Sequence, residues 1–212
     1  MASSPGSPAA VAAAIRPSLL GIEQLLVACE PLASVLPGGG VRRGSVVLVD
    51  GPLGAGGTSI SLQLIAAATA TGAWAAMLDD EGSLATGAAA DLGVALDRFL
   101  VVRDVPAERW PNVVALLCDA VSLVACRTPR GLALGVARRL VARARRRGTV
   151  LVVSGAWPGE AALRLRVDRS VWGGLDAEGG GALCERAVDL VVEGQGVAGA
   201  TRSIGLPGLP AS

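Results

Sequence analysis

The sequence predicts an α/β domain: a mainly parallel β-sheet flanked by helices, with antiparallel strands added at its C-terminal end. Three observations carry that reading. A glycine-rich loop joins an apolar strand-like run to an apolar helix-like run just after residue 50. Four more short apolar runs alternate with helical stretches up to residue 154, a pattern that builds a parallel sheet covered on both faces. Beyond residue 155 the helical stretches stop. Short strand-like pieces separated by glycine-rich turns follow, as in antiparallel additions to a sheet edge.

Taken in order, residues 1–17 are rich in Ala, Ser and Pro and read as a disordered segment. One domain is expected over 18–193, with a flexible Gly/Pro-rich tail over 194–212. Residues 18–36 are apolar with helical character, and 36–44 form a turn. Residues 45–50 make the first central strand, and the run from 59 to 70 a mostly apolar helix. Residues 73–78 are a second strand that ends in Asp79, Asp80 and Glu81. A helix over 83–96 leads to a third strand at 99–103. The helix over 110–120 carries Pro111 in its first turn, where proline is tolerated. The fourth strand covers 121–126, the next helix 132–147 and the fifth strand 149–154. The later strand pieces are 163–167, 170–172 and 187–192.

Composition narrows the chemistry. The chain has 212 residues and a net charge of +1, enough for one domain with a sizeable core and no general argument for a polyanionic or membrane partner. It contains no histidine, which removes the usual general base and rules out a Ser-His-Asp or Cys-His site. One Phe, four Trp and no Tyr supply little for stacking on bases. Cysteines 29, 118, 126 and 184 lack zinc-knuckle spacing and read as buried, reduced thiols of a cytosolic protein. No charge precedes Arg16, so no basic signal-peptide region is present. The uncharged run 51–78 divides into loop, helix and strand and reads as core rather than a membrane span.

The segment 50–59 reads Asp-Gly-Pro-Leu-Gly-Ala-Gly-Gly-Thr-Ser. Gly51 and Gly56 have the spacing of a phosphate-binding loop, Thr58 takes its hydroxyl position and Ser59 follows. Gly57 stands where the lysine belongs, and all nineteen basic residues of the chain are arginine. Backbone N–H groups and a helix N-terminus can still attract an anion. The lysine neutralises phosphate charge during transfer, and losing one such donor costs about 3–4 kcal/mol. An ordinary glycine-rich turn has the same spacing, but the strand before it and the helix after it are the context a phosphate loop needs.

This order of elements resembles the RecA core over roughly residues 30–155, and more faintly to 193. The turn 36–44, the strand 45–50, the loop 51–59 and Leu62-Gln63-Leu64 resemble the family's ATP-binding entry. Residues 78–81, Leu-Asp-Asp-Glu, resemble the strand end that carries the carboxylate activating the attacking water, and Glu81 matches that position. Leu92-Gly93-Val94 and Leu96-Asp97 also match. Two departures stand out. The fourth strand runs into Cys126-Arg127-Thr128 where the family holds Mg²⁺ with a carboxylate, and Ser154-Gly155 replaces an amide that couples nucleotide to DNA. A short, degenerate RecA-like chain of this composition resembles the actinobacterial ImuA-prime type of mutasome accessory protein. Residues 154–160 and 170–175 add to the likeness. The resemblance implies a non-catalytic adaptor in an error-prone translesion synthesis complex. Its partners would be an ImuB-like inactive relative of Y-family polymerases and an error-prone C-family DNA polymerase, with RecA as a further candidate. It also implies no resident cofactor, at most weak ATP or ADP binding on a vestigial loop of Gly51, Gly56, Gly57, Thr58, Ser59 and Glu81. The location would be cytoplasmic, nucleoid-associated within the complex.

Other residues admit two readings each. Asp79, Asp80 and Glu81 are either a metal or acid–base cluster, or a solvated loop that caps the next helix; the second is favoured because lysine and the fourth-strand carboxylate are missing. Arg139, Arg143 and Arg147 share a helix face, opposite the stripe of Leu132, Val136, Leu140 and Ala144. That face is either solvated or a docking patch for DNA or an acidic partner. Trp157 and Trp172 are either interface anchors or core. A weak ATPase or nucleotide switch, or a RecA antagonist, remains as an alternative to the adaptor.

Overall fold

In a computed structural model of the chain, residues 24–52, 54–82, 84–175, 181–194 and 197–207 are described. Ten strands and four α-helices follow one another in them. The short strands β1 (Leu25–Val27) and β2 (Gly40–Arg42) form an antiparallel hairpin. Then come β3 (Val46–Asp50), α1 (Gly57–Ala70), β4 (Ala75–Leu78), α2 (Thr86–Asp91), β5 (Phe99–Val102), α3 (Trp110–Ala120), β6 (Leu123–Arg127), α4 (Leu134–Arg147) and β7 (Val150–Ser154). Three long strands follow: β8 (Leu163–Leu175), β9 (Gly181–Gly194) and β10 (Val197–Pro207).

The main sheet has eight strands in the order β10-β9-β8-β3-β7-β6-β4-β5. From β8 to β5 every neighbouring pair is parallel, and β8, β9 and β10 pair antiparallel. The expected α/β architecture, with antiparallel additions at the C-terminal end, is therefore observed.

Alternation along the strands splits the core in two. Val47 and Val49 of β3 face α1, among Ile60, Leu64 and Leu165. Val46 and Leu48 face α3 and α4, among Trp110, Leu140 and Val153. Ile60 through Thr69 are all buried, so α1 is covered on every side. Its outer cover is the β1–β2 hairpin and the turn after it, through Leu26, Leu32 and Val41. This double cover explains why 51–78 carries no charge: no part of α1 beyond its ends meets water. Helix α4 is different. Only Ala137, Leu140 and Ala144 are buried, and its arginines stay outside.

Three expectations need correction. The helix over 18–36 is absent from its described part, which holds β1 and a turn; Pro31 and Pro37 interrupt any helix there. The helix over 83–96 contracts to Thr86–Asp91, because Gly93 turns left-handed at φ 85°. The flexible tail from 194 is instead, over Val197–Pro207, the edge strand β10, with Ile204 buried in the α1-side core. Edge strands tolerate the glycine and proline that made this segment read as loose. The expected disorder of 1–17 lies outside the described residues. Among those, no helix is long and apolar enough to cross a membrane.

Candidate functional site

A cleft of about 210 Å³ opens at the C-terminal ends of β3, β4, β6 and β7, the end where parallel sheets place ligands. Its floor is the loop between β3 and α1. Gly51 (φ 147°) and Gly56 (φ 112°) take conformations that L side chains rarely adopt, and Gly56 caps α1. Gly57, Thr58 and Ser61 line the cleft beside the loop. The structure places Gly51, Gly57, Thr58 and Glu81 in this lining, with Gly56 at the cap; Ser59 follows in the first turn of α1, away from the lining.

The lysine position remains open. A Cβ on Gly57 would meet only Val49 Cγ1, at 3.5 Å, which is ordinary contact. The backbone at position 57 therefore has room for a side chain's Cβ.

An arginine enters the cleft from another element. Arg127, at the end of β6, pairs with Glu81 at 3.2 Å. The end of β6 and the segment after β4 are thus joined by an ion pair across the cleft. Both side chains are about half exposed, so the pair adds no more than about 1 kcal/mol of stability. Its effect is on charge. Outside the lining, Arg164 of β8 lies 3.6 Å from Asp50 on the neighbouring β3.

The carboxylates after β4 separate into distinct roles. Asp79 is buried, contrary to the solvated-loop reading. It accepts bonds from Arg103 Nε at 3.1 Å and Leu84 N–H at 3.2 Å, and so pins the segment before α2. Burial, then Asp79 and Glu81, push the Asp80 carboxyl above its ordinary value. Among the described residues, no group of three or more Cys, Asp or Glu is placed to hold a metal ion. The thiols beside the sheet are inert: burial pushes Cys118 up to about 11 and Cys126 well above its ordinary value.

One residue was not found by sequence reasoning. Arg186 of β9, only 8% exposed, reaches across the sheet to the loop. It donates to the Gly54 carbonyl and, at 2.9 Å, to Ser170 Oγ. Its guanidinium carbon lies 4.6 Å from the centroid of Trp172, directly opposite on β8. A Cβ on Gly56 would come within 3.1 Å of that carbon. Nothing local marks Arg186; its position depends on the register of β8 against β9.

The remaining candidates divide. Trp157 is core: it is 9% exposed, sits among the α3–α4 residues and donates its indole N–H to Glu160 O at 3.3 Å. Trp172 is 38% exposed while stacking on Arg186. Arg143 and Arg147 are drawn to Asp119 of α3, which both hold by hydrogen bonds. These bonds, Arg143 first, keep the Asp119 carboxyl well below the usual carboxylate range. Arg139 takes part in no ion pair among the described residues.

Comparison with known proteins agrees with this frame. A family model described as the MT3502 N-terminal domain matches residues 34–159, more than half of the chain. Protein RecA of Clostridium tetani is 36% identical over 84 residues, 40% of this chain and 24% of that protein. Protein RecA of Heliobacterium modesticaldum is 41% identical over 83 residues, 37% and 24% of the two chains. The uncharacterized protein Rv3395c of Mycobacterium tuberculosis is 38% identical over 125 residues, covering 56% of this chain and 59% of that one. The chain thus spans about a quarter of these two RecA proteins. The fold and these similarities together make it RecA-like.

Proposed function

The chain belongs to the family of the MT3502 N-terminal domain, and on that premise we propose that it is a non-catalytic RecA-like adaptor. Its setting is an error-prone translesion synthesis complex of the DNA damage response, with the ImuA-prime type as the finer resemblance. The observation that carries this is the Arg127–Glu81 pair beside Gly57. ATP hydrolysis of the RecA kind needs a lysine on the phosphates, a carboxylate on the metal and a free carboxylate on the water. This cleft offers glycine, arginine and an engaged glutamate at those places. With about 210 Å³ it is also smaller than the 300–1,000 Å³ typical of small-molecule sites.

The partners would be an ImuB-like inactive polymerase relative and a C-family polymerase, docked on the long strands β8–β10. Val171 and Trp172 are exposed there. Co-purification with these partners tests the reading. Val171→Asp should weaken capture at least tenfold while the melting curve stays unchanged. Normal capture by that variant would move the docking site off this hairpin, and failure of the unaltered chain to capture either partner would end the adaptor reading.

One observation favours a second reading. Arg186 brings a guanidinium to Gly54 and Gly56, so the loop has a cation within reach. A nucleotide switch would use it. Calorimetry with Mg-ATP separates the two: the adaptor predicts dissociation constants no tighter than about millimolar, near −4 kcal/mol. Micromolar binding lost in Arg186→Ala establishes the switch.

A further inference from the structure

At the end of the sheet opposite the cleft, two segments distant in sequence meet. Arg42 ends β2 and Arg43 opens the turn to β3, and the last turn of α4 carries Arg145, Arg146 and Arg147. They touch through backbone. Gly44, at φ 74°, lies so close to the helix that a Cβ there would come within 3.1 Å of Arg145 O and 3.2 Å of its Cα. Leu151 N–H, just after α4, donates to Ser45 O at 3.0 Å, which fixes the turn against the start of β7. Two basic segments thus form one surface, held by main chain.

That surface is strongly unbalanced. Arg42 and Arg43 lie in a stretch without a carboxylate from 31 to 49, and Arg145, Arg146 and Arg147 in one without a carboxylate from 120 to 159, in a chain whose net charge is only +1. Asp119 engages Arg143 and Arg147. Arg42, Arg43, Arg138, Arg139, Arg145 and Arg146 take part in no ion pair among the described residues. Arg146 shares a shallow recess with Asp119, Arg143 and Arg147, so the paired arginines form a fixed wall beside a free one.

We propose that the composite surface of Arg42, Arg43, Arg145 and Arg146 binds the phosphate backbone of a nucleic-acid duplex, without reading its sequence. Every cation is a guanidinium, permanently charged and shaped for bidentate contact with phosphate. Four guanidinium groups engage about four phosphates, one each. Single strands are the poorer fit, because stacking on bases needs aromatic side chains. Trp172 lies on β8, and Trp74, just before β4 at this same end of the sheet, already carries Arg98 over its ring at 5.5 Å. The inference is independent of whether the cleft turns over nucleotide, because it uses the opposite end of the strands.

The test is binding of the full chain to a fluorescein-labelled 25-base-pair duplex of arbitrary sequence, followed by anisotropy between 50 and 200 mM salt. About four neutralised phosphates give a log–log salt slope near −3.6, so affinity should fall about 100-fold over that range. Replacing Arg42, Arg43, Arg145 and Arg146 together by Ala should flatten the slope to shallower than −1 and weaken binding at 50 mM by at least 30-fold. The four-lysine version, which keeps the charge, should keep the slope, and exposed Arg109→Ala should behave as the parent. Melting curves identify any variant that fails to fold, and the lysine version then decides alone. Three results would overturn the proposal: no duplex binding at 50 mM salt, a slope unchanged in the alanine variant, or a lysine version with a flat slope. Competition by polyglutamate, charge for charge as effective as unlabelled duplex, would also overturn it and assign the surface to an acidic protein.

Discussion

Removing Arg186 is the perturbation whose size follows most directly from the structure. Its guanidinium donates to Ser170 Oγ and the Gly54 carbonyl and stacks on Trp172. A hydrogen bond from a charged donor contributes about 1.5–3 kcal/mol. Both acceptors lie in partly buried surroundings that water can re-enter after truncation, so about 1 kcal/mol each is the better figure. A partly exposed cation–π contact adds about 0.5–1 kcal/mol. Burial works in the opposite direction and pulls the Arg186 pKa down. A net loss of about 2–3 kcal/mol follows for Arg186→Ala. In a domain of 150–250 residues each kcal/mol shifts Tm by about 2–4 °C, so the fall should be about 4–12 °C. The assay is thermal unfolding by circular dichroism, with amide hydrogen exchange at Ala55 and Gly56 as a local readout. Exchange there should quicken, because the loop loses its tie to β9. Arg186→Lys keeps a charge but not the fork, and should recover less than half of the loss. A Tm within 2 °C of the parent, with loop exchange unchanged, would refute the assignment of Arg186 as the clamp.

Gly57→Lys should fold normally, since the new Cβ meets only Val49 in ordinary contact. The gain in helix propensity and the cost of a cation at a helix N-terminus nearly cancel, leaving a change within about 0.5 kcal/mol by urea unfolding. On the proposed reading, phosphate release from Mg-ATP should stay at background, because Arg127 stands, paired with Glu81, where that reading needs a metal carboxylate; turnover in this single variant would contradict the charge argument. Asp119 has a depressed folded pKa, so its contribution is complete above the unfolded value near 3.9 and is lost as pH falls through the folded one. Asp119→Asn should therefore flatten the acid limb of the Tm–pH curve below about pH 4, and superimposable limbs would count against the Arg143–Asp119–Arg147 triad. Asp80 has the opposite sign: its raised folded pKa makes the ionised form a burden at neutral pH. Asp80→Asn should raise Tm at pH 7, with the advantage closing as pH falls to about 4.

The parallel core was legible because β3, β6 and β7 are runs of Val, Leu, Ala and Cys buried on both faces, and such runs announce central strands. The loop was legible because its glycines serve local geometry. Arg127 was recognised as a departure, but its pairing with Glu81 was not, since that needs the distance between the ends of two strands. Arg186 and Trp172 were harder still. Their stacking exists only in the register that sets Trp172 opposite Arg186, and a one-residue slip would send one of them to the other face. Composition misled at both ends. A Gly/Pro-rich segment became an edge strand with a buried anchor, Ile204. The apolar stretch before Pro37 became a hairpin because only Leu26 of the β1 triplet is buried.

The place of β3 in the sheet bears on synthesis. This strand is among the first core elements to leave the ribosome, yet its neighbours on both sides, β7 and β8, begin at Val150 and Leu163. At ~5–20 residues per second, the roughly 100 residues between them take about 5–20 s to translate. For that interval the apolar run of β3 and the glycine loop behind it have no native strand to pair with. Arg186, 132 residues after Gly54, closes the loop later still. A nascent chain of this topology displays an apolar central strand early and covers it late, so its yield in the cell should depend on chaperone supply and on how fast the second half is translated.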